Sequence, residues 1–270
     1  MTVRSLFLIA CLALSAMAAP VRAQPGAAAE FRQIRAGEAL QIRPDRAYLL
    51  LRFDTSLAKF QADIPRVPDR TEMEAYEAAK RAAYVAAGAK AGPPESFVFY
   101  YQGRPNFFAL SANKPLVSAG QVATVIAEVT PGDYVLYGEG FGGSLYECFC
   151  LGTVGFTAPT GQVTDLGTMI FGRASEPSAF PELAGEVDLG PSAAMDWRLF
   201  AVALRPPRTS DALPGGLDPA KVAPARLHAV GQFVEPNTVL INRLAAIPGV
   251  LAYDKGRVID VATGTEAVVN

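Results

Sequence analysis

The stretch QVATVIAEVT PGDYVLYGEG FGGSLYECFC LGTVGFTAPT GQVTDLGTMI F, residues 121–171, decides the fold. It divides into apolar, β-branched and aromatic runs at 121–129, 134–138, 145–157 and 162–171, with turn residues between them. Such runs, punctuated by Pro and Gly, read as sequential antiparallel strands. At Thr130-Pro131-Gly132-Asp133 and Ala158-Pro159-Thr160-Gly161 the turns carry their own chemistry. Pro131 presets one φ and Gly132 supplies a positive one, as a type II turn requires.

Working outward, residues 40–43 and 48–53 read as two strands, the second with the apolar core Tyr48-Leu49-Leu50-Leu51. A continuous apolar run of that length fits a strand buried on both faces. After Pro65 and Pro68, Thr71 and Glu74 stand at capping-box spacing, and an alanine-rich run continues to Ala87. This predicts a helix within 70–90, stopped by Gly88 and by Gly92-Pro93-Pro94. Further strands are expected at 96–101 and 197–204. Asn237 or Thr238 is placed to cap a short helix to Ala245, and a hairpin closes the chain at 250–253 and 257–261 around Asp254-Lys255-Gly256. The expected fold is mainly β: an antiparallel β-sandwich with one helical insertion and a coil-rich C-terminal third. Its parts are a flexible leader at 24–38, a sandwich core at 39–172, and remaining strands and loops at 173–270 packed on the same domain.

Residues 1–23 read as a cleavable signal peptide. Arg4 is followed by the apolar run 5–14 and by the small-residue site Val21-Arg22-Ala23. That run falls short of the roughly 20 residues that span a bilayer, so no transmembrane segment is expected after cleavage. The expected location is the periplasm or the medium outside a bacterial cell. Leu8-Ile9-Ala10-Cys11 also resembles a lipobox, which would make the protein a lipoprotein anchored at Cys11. Cleavage at Ala23 removes Arg4 and Arg22 from 24 basic residues and none of the 26 acidic ones, moving the net charge from −2 to −4. An acidic chain without a basic tract argues against a nucleic-acid partner.

Residues 131–141, Pro-Gly-Asp-Tyr-Val-Leu-Tyr-Gly-Glu-Gly-Phe, resemble the P-G-x-Y-x-L…G-F pattern of transthyretin-like and carboxypeptidase-regulatory-like β-sandwich domains. With the following meander, the resemblance covers residues 129–169 and extends to uncharacterised bacterial envelope proteins. It implies a sandwich module, usually a non-catalytic one.

The chemistry-bearing residues are few. Gly138-Glu139-Gly140-Phe141-Gly142-Gly143-Ser144 is followed by a strand and has no Lys-Ser or Lys-Thr pair, so it reads as a hairpin rather than a phosphate loop. His228 is the only histidine and makes neither a zinc site nor, alone, a triad. No catalytic residue, metal site or cofactor is assigned. Carboxylates at Glu72, Glu74 and Glu77 read as a solvated helix face, although two acids would suffice for a glycosidase. Tyr100 and Tyr101 are candidates for a ligand surface, since tyrosine combines contact area with a polar tip. Cys148 and Cys150, the cysteines left after export, are the disulfide or redox candidates. An exported protein ordinarily joins its thiols, yet residues two apart on a regular strand are about 6.6 Å apart along its axis. Sulfur bridging wants Cβ atoms roughly 3.5–4.5 Å apart. Either both remain buried thiols or a bulge at Phe149 lets the bridge close. The expected function is that of a non-enzymatic exported protein binding an envelope protein or glycan, or stabilising an envelope assembly. The alternatives are a thiol-dependent redox or copper-handling protein using the Cys-x-Cys pair, and a carbohydrate-binding or carbohydrate-active module.

Overall fold

The run Ala47–Asp54 is buried on both sides, which explains its near-continuous apolar character. Leu49, Leu51 and Phe53 enter the principal core, while Tyr48 and Leu50 pack in a second cluster on the opposite face. A computed structural model describes residues 31–99, 106–141, 145–184, 199–233 and 240–269. The expected signal peptide, with Cys11, and the tyrosines Tyr100 and Tyr101 lie outside the described residues.

In chain order the elements begin with β1 (Phe31–Ile34), β2 (Ala47–Asp54), β3 (Phe60–Asp63) and the helix α1 (Arg70–Ala87). Next come β4 (Ala109–Ser111), β5 (Val117–Ala119), β6 (Val122–Val129), β7 (Gly132–Val135) and β8 (Gly138–Phe141). They are followed by β9 (Leu145–Cys148), β10 (Thr153–Ala158), β11 (Val163–Arg173), β12 (Phe200–Arg205) and β13 (Val222–Pro224). The chain ends with β14 (His228–Val230), β15 (Leu240–Ile241), β16 (Leu251–Asp254), β17 (Arg257–Asp260) and β18 (Thr265–Glu266).

The protein is mainly β. Its largest sheet runs β1-β6-β2-β11-β12, with β5 on β6 and β13 on β11; the others run β14-β10-β7, β15-β9-β8-β3-β4 and β16-β17-β18. The antiparallel expectation holds for most pairs, but β2 with β11, β11 with β13 and β9 with β15 run parallel. Residues far apart in the chain, such as Tyr48 and Val163, thus become neighbours, a pairing that needs a long crossover and leaves no local turn signal.

Four local expectations are corrected. The leader at 24–38 is not all flexible: Phe31–Ile34 forms β1 on the edge of β6, with Ile34 buried. Residues 40–43 form no strand, because Leu40 and Ile42 lie across the second core cluster as a cover over Tyr48 and Leu50. No helix runs to Ala245; β15 pairs with β9, and Asn242 and Leu244 are buried. Residues 96–99, the described part of the expected strand at 96–101, are likewise not strand.

Helix α1 starts two residues earlier than the Thr71–Glu74 spacing predicts. Asp69 is its cap, accepting from the Glu72 amide at 2.9 Å while the Glu72 carboxylate accepts from the Asp69 amide at 2.9 Å. Glu72 also pairs with the buried Arg66, which adds a charge contact the Thr71 register would lose. No residue of α1 is buried; Tyr76 and Tyr84 pack on Phe99 and Phe97 instead. No described helix is long and apolar enough to cross a membrane.

Candidate functional site

The outer face of the β14-β10-β7 sheet carries a cleft of about 350 Å³. Alternation along β7 sends Tyr134 and Leu136 into the core and leaves Asp133, Val135 and Tyr137 to the other face. Backbone bonds fix that edge: the amides of Val67 and Tyr137 donate to the carbonyls of Asp133 and Asp63 at 2.8 Å, and Val135 donates to Pro65 at 3.1 Å. Pro65 and Val67 thereby become one wall. His228 and Val230 of β14 form the other, with Phe233 and Val269 closing the end.

Register determines the floor. Val135 of β7 stands opposite Gly155 of β10, which stands opposite His228 of β14. The absent side chain at Gly155 gives the His228 imidazole its place: a Cβ there would lie 2.5 Å from His228 Nε2, so the ring lies down over the glycine and lines the cleft itself. One rung away, Asp133 stands opposite Thr157, whose hydroxyl donates to the carboxylate at 2.6 Å. Toward the other end Tyr137 stacks on Phe233 at 5.4 Å and meets Phe107 edge-on at 5.6 Å. Polar groups therefore cluster at one end of the cleft and aromatic carbon at the other.

Beneath the neighbouring sheet lies a set of buried acids. Glu139 of β8 stands opposite Glu147 of β9, and both are almost fully buried. Glu147 accepts from the Leu199 amide and from Asn242 Nδ2, the latter at 2.6 Å. Glu139 finds no donor among the described residues. Burial first, and then the facing Glu147 charge, push the Glu139 carboxyl well above the carboxylate range, so it keeps its proton. Burial pushes Glu147 up too. Asp63 is pushed up to about 7 by burial, with only a 3.3 Å bond from Gln61 opposing it. Tyr146, its hydroxyl buried without a partner, is raised by burial and by the Asp63 charge. No group of three or more His, Cys, Asp or Glu residues with metal-holding geometry occurs among the described residues.

Cys148 and Cys150 are joined by a disulfide, with Cα atoms 5.2 Å apart. Strand β9 ends at Cys148 and the chain turns at Phe149, which is the kinked geometry that allows closure. Both cysteines are buried. The loop grips the aromatic end of the cleft, because the Phe149 amide donates to the Tyr137 carbonyl at 2.8 Å and the Phe233 amide donates to the Cys150 carbonyl at 3.0 Å.

Comparison with family models, with curated proteins and with solved structures yields no significant match. Of the residues singled out in the sequence, His228 alone comes to the cleft, exposed and over Gly155. Gly138–Phe141 pairs with Leu145–Cys148 as a hairpin. Sequence reasoning passed over Asp133 and Phe233, each ordinary in its local context, and Tyr137 stood out only as one of several aromatics; the three share a cleft only once distant segments pack together. Glu139 and Glu147 were passed over too. Their period along strands otherwise facing the core was the one available signal.

Proposed function

We propose that this chain is an exported, non-enzymatic protein of the bacterial envelope that binds a small molecule in the cleft on the β14-β10-β7 sheet. The observation that carries the reading is the cleft itself: an apolar hollow bounded by the Tyr137 and Phe233 rings, the His228 imidazole and the Asp133 carboxylate. A concave, mostly apolar site of a few hundred Å³ with a few converging polar groups has the form of a ligand pocket. The leader at 1–23 supports export, and the likeness of residues 129–169 to transthyretin-like modules supports a binding rather than a catalytic role. Burial of the Cys148–Cys150 bridge favours a structural part for it over redox exchange, since an attacking thiolate must reach a sulfur.

The test is displacement of the His228 ring into the cleft. Gly155 lacks a positive φ, so Gly155→Val is compatible with its strand and collides chiefly with the exposed His228 ring. The neutral fluorophore N-phenyl-1-naphthylamine should bind the full mature chain and lose at least tenfold in affinity with Gly155→Val, at a melting temperature close to that of the parent. Equal binding by both proteins would refute the cleft as the site.

A further inference from the structure

Resting on the cleft reading above, we infer that its ligand is an organic cation: an apolar, ring-sized body carrying one ammonium group at its end. Three successive rungs of the β14-β10-β7 sheet set this polarity. The first holds Asp133 and Thr157, the second Val135, Gly155 and His228, and the third end is closed by Tyr137, Val230 and Phe233. An apolar body gains by covering the stacked Tyr137 and Phe233 rings. Its far end then comes to rest by Asp133.

Charge decides what that end must be. Among the described lining residues Asp133 is the one carboxylate, and neither lysine nor arginine lines the cleft. Arg66 runs its side chain past Gly132, but it is buried and pairs with Glu72, so its charge is already answered. Among the described residues the Asp133 carboxylate takes one hydrogen bond, from Thr157, which leaves lone pairs on an exposed carboxylate. An ammonium group has three donors and a positive charge to place there, and a hydrogen bond between charged partners is about twice as strong as a neutral one. A carboxylate ligand would instead set like charges side by side. The His228 ring lines the same cleft from β14.

Three probes with one body separate the head from the body: 4-phenylbutylamine, 4-phenylbutanol and 4-phenylbutyrate, titrated calorimetrically into the full mature chain and into Asp133→Asn. The amine is expected to bind about tenfold tighter than the alcohol, with the butyrate weakest. In Asp133→Asn, which keeps the acceptor for Thr157, the ratio of amine to alcohol affinity should fall to about one. Butyrate binding as tightly as the amine, or an amine preference that survives in Asp133→Asn, would overturn the inference while leaving the cleft reading intact. Failure of all three probes, with N-phenyl-1-naphthylamine indifferent to Gly155→Val, would overturn both.

Discussion

Replacing Asp63 by Asn should make the protein more stable, and increasingly so as the pH rises. Asp63 is 2% exposed and its carboxyl is pushed up to about 7 because burial penalises the charged form. In the unfolded chain the same group ionises near 3.8. Between these values the native state holds a proton that the unfolded state has released, so stability falls as pH rises through that window. The gap corresponds to about 4 kcal/mol once the pH exceeds 7, at about 1.4 kcal/mol per unit. Asn mimics the protonated acid, cannot ionise, and keeps an oxygen for Gln61. Urea unfolding should therefore show Asp63→Asn more stable than the parent by about 1 kcal/mol at pH 4.5 and by about 4 kcal/mol at pH 8. Glu139→Gln should act in the same direction, because Glu139 faces Glu147 across the β8-β9 pair and burial holds its proton. A stability difference that is the same at both pH values, or larger at the lower one, would show that Asp63 does not carry the linkage.

Other perturbations address backbone, ion pairs, bridge and processing. Gly132 has φ 149°, in the region side chains rarely adopt, and Gly132→Val should cost about 1–3 kcal/mol in a thermal melt; an unchanged melting temperature would mean the β6-β7 connection is drawn wrongly. Arg52 and Asp165 form a buried bidentate pair, so Arg52→Met, which strands the carboxylate, should destabilise by about 3–5 kcal/mol in urea. A count of zero free thiols is expected in the denatured, unreduced mature protein. Cys148→Ser with Cys150→Ser should weaken N-phenyl-1-naphthylamine binding several-fold, because that loop holds the backbones of Tyr137 and Phe233; unaltered binding would detach the bridge from the site. N-terminal sequencing of the mature protein should begin at Gln24, and a diacylglyceryl group on Cys11 would point to a lipoprotein instead.

What was legible in the chain was whatever local chemistry dictates. Apolar, β-branched runs between turn residues located β6 and β11 and the region of β7, and a run of alanines marked α1, because those signals act over a few residues; the strand expected at 145–157 is instead two, β9 and β10, parted by the disulfide turn. The closing hairpin was legible too, although its loop proved to be two residues, Lys255 and Gly256, with φ 51° and 83° as a type I′ turn demands. Tertiary structure alone decided the rest. Phe31–Ile34 is too short and too polar to declare itself a strand, and becomes one because the edge of β6 supplies its hydrogen bonds. The segment at 40–43 has the composition of a strand but serves better as a cover for Tyr48 and Leu50. Glu139 and Glu147 look like solvent-facing residues until the β8-β9 pairing turns them inward. The cleft draws on residues from Pro65 to Val269, and the place of its imidazole depends on the glycine that stands opposite His228. Such features follow from long-range pairing, whose free energy is gained only when distant segments meet, so no window of neighbouring residues contains them.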